Sequence, residues 1–171
     1  MTTIQRLILG IDPGPTTSGM VLYDPDDRRV IKSWKAADEH EVQHYVRGMY
    51  RGIRLGLTRQ VVVEQVSAGP RMGASLLETQ LFAGRIVGWC DAWGIPVDAL
   101  YRRDVIRALG CTAKKPSRDS QVRSTLIERH GGSTAIGKKA EPGPLYGVAS
   151  HAWQALGLVY AYAFEWVDAG T

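Results

Sequence analysis

Three strand-length segments joined by short turns open the chain, and they restrict its fold more than any other feature of the 171 residues. Residues 6–12 are an apolar run ending on Asp12, residues 18–23 are a second, and residues 29–34 alternate polar and apolar side chains. Pro13-Gly14 follows the first segment, and Asp24-Pro25-Asp26-Asp27 after the second is turn chemistry throughout. Parallel neighbours need a crossover of about a dozen residues or more, so two tight connections predict an antiparallel meander.

Beyond the meander the pattern changes period. From Asp38 to Leu57, Val42, Tyr45, Val46, Met49 and Ile53 recur at helical spacing, which predicts an amphipathic helix with a narrow buried stripe. Val61-Val62-Val63 enters a strand that ends on Glu64, and three adjacent β-branched residues predict a central strand covered on both faces. A Gly- and Pro-bearing loop over 67–73 precedes a long helix over 74–93, closed by Gly94 and Pro96. Residues 95–101 read as an edge strand, because Pro is poorly tolerated inside a sheet. Asp104 is positioned to cap a short helix ending at Gly110. A basic loop follows over 111–118, then a helix over 119–130, then an irregular and mobile segment over 131–147. A last helix is expected over 149–167, with Ala152, Ala155, Leu156, Val159 and Ala163 on one side. The sum is an α/β fold: a five-stranded mixed sheet, an antiparallel meander followed by parallel strands, with helices on both faces. The length suits one domain over 1–171.

Composition adds a localised charge. The net charge is +4, yet the signs nearly cancel up to Glu64, whereas from Arg102 to Lys139 ten Lys/Arg face three acids (Asp104, Asp119, Glu128). Such a segment suits a polyanionic partner, although a solvated helical surface is the commoner explanation for such runs. Cys90 and Cys111 have no metal-ligand spacing and read as reduced, structural thiols. No apolar run reaches bilayer-spanning length and the N-terminus lacks a leader pattern, so a soluble cytoplasmic protein with no membrane partner is expected.

Asp12 and Glu64 each end an apolar strand. If those strands are neighbours, both carboxylates emerge at one edge of the core, where they are either two solvated acids or a pair suited to a hard divalent cation. His151 and Gln154, three residues apart, share one face near the start of the last helix. Glu165, about four turns and roughly 20 Å further along that helix, is too distant to join them.

The ordered set Ile8-Leu9-Gly10-Ile11-Asp12-Pro13-Gly14, Val63-Glu64-Gln65-Val66 and His151-Ala152-Trp153-Gln154-Ala155-Leu156 resembles the RuvC family of Holliday-junction resolvases. It is most similar to the small phage and prophage branch, in which a Pro-Gly-Pro-Leu-Tyr-Gly stretch like residues 142–147 precedes the last helix. Gly-Ile-Asp-Pro-Gly alone also opens actin-like and sugar-kinase phosphate loops, but this chain is too short for their two lobes. The resemblance implies an RNase H-like fold and an endonuclease, usually a homodimer, that resolves Holliday junctions or other branched DNA using Mg²⁺ or Mn²⁺. It maps the family's first two acids onto Asp12 and Glu64. The two Asp ligands of its last helix fall on His151 and Gln154. His is a competent ligand, while Gln brings no charge and weakens a second metal site. Two ions about 4 Å apart would flank one phosphate, with Asp12 bridging them. Asp12, Glu64 and His151 are then the implied catalytic residues, with Gln154 a weaker metal ligand.

In that reading Lys114, Lys115, Arg118, Lys138 and Lys139, on loops flanking the site, contact DNA phosphates without reading sequence. Arg71 and Met72, in the loop after Glu64, wedge at the branch point. Gln154 keeps a second reading open: a structure-selective DNA-binding protein of the same fold whose cleavage is weak or lost.

Overall fold

Short turns produce the expected meander, and two helical crossovers add parallel strands beside it. The computed structural model describes residues 5–67 and 73–166. Strands β1 (Arg6–Asp12), β2 (Ser18–Asp24) and β3 (Arg29–Ala37) pair antiparallel in sequence order. Helix α1 (Glu39–Arg54) carries the chain back to β4 (Thr58–Gln65), which pairs parallel to β1. Helix α2 (Ala74–Trp93) leads to β5 (Val97–Tyr101), parallel to β4, giving the sheet order β3-β2-β1-β4-β5. Helices α3 (Arg102–Ala108) and α4 (Arg118–Arg129) follow. A 3₁₀ turn (Gly132–Ala135) then leads into a two-residue hairpin, β6 (Gly137–Lys138) and β7 (Glu141–Pro142). Helix α5 (Ala152–Tyr160) closes the fold and continues as a π-helical turn over Ala161–Trp166. Among the described residues, no helix is long and apolar enough to cross a membrane.

Strand side chains alternate between the two faces of the sheet, and each face has its own core. Leu9, Ile11, Met20, Val61 and Val63 pack under α1 and α2. Ile8, Val21, Tyr23 and Val62 pack under α3, α4 and α5. Val61, Val62 and Val63 are all fully buried because β4 lies mid-sheet with helices above and below. In α1 the stripe is as narrow as the spacing predicts, with Val42, Val46 and Met49 buried. Asp38 caps this helix, its carboxylate accepting from the Glu41 amide at 2.8 Å while Glu41 accepts from the Asp38 amide at 3.3 Å.

Three expectations are corrected. Helix α3 begins at Arg102, directly from β5, so Asp104 lies in its first turn instead of capping it. The segment over 131–147 is irregular but tied down. Leu145 is fully buried, its amide donates to Ala135 O at 2.8 Å, and the Val30 amide donates to Pro144 O at 2.8 Å. The last helix starts at Ala152, not 149, because Ser150 adopts φ +50, in the left-handed region a continuous helix excludes.

Helix α5 sits directly on the sheet because two strand positions lack side chains. A Cβ at Gly10 would lie 2.6 Å from Ala155 O, and one at Gly19 would lie 2.4 Å from His151 C and O. Those obstacles are backbone atoms, which cannot rotate away. Gly19→Ala should therefore push the start of α5 off β2 and cost about 1–3 kcal/mol, a fall in melting temperature of roughly 2–4 °C per kcal/mol. Gly48→Ala, exposed in α1 with no atom within 4 Å of the added methyl, should hold or raise it. Thermal denaturation of the two variants checks the difference.

Candidate active site

The register of β1 against β4 brings the two acids together. Ile11 pairs with Val63, so Asp12 and Glu64 are the next residues on adjacent parallel strands. Ile11 and Val63 point toward α1 and α2, so both carboxylates emerge on the opposite face, toward α5. Their side chains are only 12% and 8% exposed. Burial, followed by the charge of Glu64, pushes the Asp12 carboxyl up to about 8. Burial raises Glu64 as well, against the opposing pull of Arg102.

The close seating of α5 on Gly19 delivers His151 to this place. Its Nδ1 lies 3.7 Å from Asp12 Oδ2, with the ring otherwise open to solvent. Gln154, one turn on, lines the same cavity of about 350 Å³, together with the 13–17 turn, Thr79, Arg102 and Asp119. An adjoining groove of about 530 Å³ shares Asp119, His151 and Gln154 and runs between the start of α4 and the turn before α5, past Ser120 and Arg123. The Arg123 guanidinium lies 5.5 Å from the centre of the buried Trp153 ring.

The structure thus brings together Asp12, Glu64, His151 and Gln154. It adds two residues that the sequence reading missed. Arg102, the first residue of α3, reaches Glu64 Oε1 at 3.4 Å with one guanidinium nitrogen and pairs with Asp119 through another. Arg102 directly follows the strand beside β4, so it leaves the sheet at the same edge as the acids. That strand order was the available signal.

The basic residues divide. Lys114 and Lys115 are exposed on the loop between α3 and α4, and Arg118 is exposed as the first residue of α4, next to Asp119. Arg118 is therefore helical, not part of a loop. Lys138 and Lys139 are exposed at the β6–β7 hairpin, where Lys138 lines a separate groove with Ser133, Thr134 and Glu141. Arg71 and Met72 lie outside the described residues. Trp89 is half-buried and packs edge-on against Phe82 at 6.2 Å, on the α2 side of the sheet.

Among the described residues, no three His, Cys, Asp or Glu side chains are gathered as a finished metal-binding cluster. The donor chemistry nevertheless fits a cation. Asp12 and Glu64 bring two buried carboxylates together at adjacent strand ends, Arg102 offsets part of their charge from beside Glu64, and His151 adds a nitrogen donor beside Asp12. Desolvated negative charge in excess of its counter-charges is the condition that a divalent ion relieves.

No protein-family model matches the chain, and no curated protein matches its sequence. Solved structures do match in fold. The RuvC of T. thermophilus in complex with Holliday junction substrate superposes with a TM-score of 0.57 at 22% identity, covering 97% of this chain and 97% of that one. A second Thermus thermophilus RuvC structure gives a TM-score of 0.54 at 22% identity, covering 96% of this chain and 97% of that one. The fold is RNase H-like, as the resemblance implies, on the mixed five-stranded sheet that the strand pattern predicts.

The raised Asp12 carboxyl has a consequence for stability. Its folded value of about 8 lies above the unfolded value of about 3.9, so its contribution is fully present below the unfolded value. That contribution is lost as pH rises through the folded one. In EDTA the melting temperature should fall between pH 6 and pH 9. Asp12→Asn should flatten that fall and exceed the unsubstituted protein at pH 9 by roughly 5 °C. Parallel slopes for the two proteins would contradict the assignment.

Proposed function

We propose that the chain is a divalent-cation-dependent endonuclease that cuts branched DNA, the reading its RuvC-like sequence motifs suggest. The observation that carries it is the buried pair Asp12 and Glu64 at adjacent strand ends, with His151 at 3.7 Å from Asp12. Asp12, Glu64 and His151 would hold the cation, with Gln154 contributing a neutral amide oxygen. When bound, divalent cations supply Lewis-acid polarisation of a phosphate and a more acidic water. The chain's own part is to fix Asp12 and Glu64 on strands and His151 and Gln154 at the start of α5, beside a groove of about 530 Å³. Ser120 and Arg123 in that groove, with Lys114, Lys115 and Arg118 beside it, would bind phosphates and set register without reading bases. Lys138 and Lys139 would extend the contact toward a further arm of the branch.

A homodimer suits a substrate with paired arms. Support comes from the outer face of α2, where Leu77 and Leu81 are 48% and 61% exposed and Gly84 and Gly88 leave the backbone open to close approach. The setting proposed is the cytoplasm of a bacterium or phage-infected host, on the resemblance to the phage and prophage branch. Light scattering should give twice the chain mass, and Leu81→Arg should halve it.

The second reading, junction binding without cleavage, is favoured by Gln154 in place of an acid and by Arg102 lying against Glu64. Cleavage of a four-way junction separates the two. Asp12→Asn should lower cleavage at least about 100-fold, the scale of losses at metal sites, while junction binding survives. Because imidazole suits softer first-row ions than Mg²⁺, Mn²⁺ should support cleavage at least as well. An unsubstituted protein that binds junctions and cuts them with neither ion selects the second reading.

A further inference from the structure

The ion pairs of Arg102 are arranged in a way that the proposed chemistry does not use. One guanidinium nitrogen lies 3.4 Å from Glu64 Oε1, and another pairs with Asp119. The two carboxylates differ sharply in setting, since the Glu64 side chain is 8% exposed and that of Asp119 is 65% exposed. Arg102 is therefore a fork with one tine in the buried site and the other at its rim. We propose that Arg102 is the resident counter-ion of the acid pair, that it competes with the divalent cation for Glu64, and that Asp119 is the place to which it withdraws. This inference rests on the reading of Asp12 and Glu64 as cation ligands.

The physical case is one of exclusion and release. A guanidinium and a divalent ion on the same carboxylate repel each other, and Glu64, at 8% exposure, is poorly screened by solvent. Arg102 cannot relieve this by losing its proton, because it stays charged at any working pH. It can move. Since it already holds Asp119, it need give up only its contact with Glu64, and it ends paired at the solvent side of the cavity. Among the described residues Arg102 pairs with Glu64 and Asp119 alone, so without Asp119 it rests more fully on Glu64. Cation affinity is then governed from α3 and α4, two helices that supply none of the donors on β1, β4 or α5.

Mn²⁺ titration of the full-length chain without DNA, followed by the electron paramagnetic resonance of free Mn²⁺, tests this directly. Arg102→Gln should bind Mn²⁺ about tenfold more tightly, within the usual span of coupling between sites. Asp119→Asn should bind it about fivefold more weakly, and most of that loss should vanish in the Arg102→Gln background. Arg102→Lys keeps the charge but lacks the fork and should bind about threefold more tightly, so the test survives a Gln variant that fails to fold. Unchanged or weaker binding by both Arg102 variants overturns the inference while leaving the cation site standing. An Asp119→Asn loss of equal size in both backgrounds overturns the role of Asp119. Failure of every protein to bind Mn²⁺ overturns the cation-site reading and this inference together.

Discussion

The register that sets Ile11 opposite Val63 forces Asp12 and Glu64 into adjacent positions at the end of a buried sheet. Two carboxylates so placed lose hydration and repel each other, and the surrounding chain is arranged to meet that demand. Arg102 supplies one positive charge from the end of β5, and Asp119 shares it. His151 supplies a nitrogen from the start of α5, which reaches the acids because Gly10 and Gly19 let that helix rest on the strands. The charge left over keeps a proton on Asp12 near neutrality, or it holds a cation. In this account the catalytic potential and the strain on stability have the same source.

Much of this arrangement is legible in the residues. Two-residue alternation and tight turns fix the meander, the unbroken Val61–Val63 run fixes a central strand, and strand-end acids mark the edge where chemistry is possible. What escaped the sequence reading did so for physical reasons. Arg102 is one of ten basic residues in its segment, and nothing local separates a guanidinium that enters a site from one that faces water. Asp119 reads equally well as the first residue of a helix. Ser150 is an ordinary residue whose left-handed backbone, φ +50, is imposed by the tertiary structure. That turn moves the helix start and places His151 at its cap. The anchoring of 131–147 depends on long-range contacts to β3, from Val30 to Pro144 and from Ser33 to Gly147, which no local composition encodes.

Gln154 gives the site its asymmetry. On the β-strand side both donors are buried carboxylates. On the α5 side they are an exposed imidazole and a neutral amide, which hold hard cations less firmly. On the proposed function, that difference makes the position beside Asp12 and Glu64 the stronger one for a cation and the position toward α5 the weaker. On the same proposal a DNA phosphate, an anionic oxygen donor, would supplement the weaker position and tie cation loading on that side to substrate.

The central claim is that the acid pair trades a proton for a cation. It is tested most directly by Mn²⁺ calorimetry at pH 7 in two buffers of different ionisation enthalpy. Because the Asp12 carboxyl is held up near 8, binding should release close to one proton per chain, and Asp12→Asn should abolish that release. Binding with no proton release, or equal release from Asp12→Asn, would contradict the account.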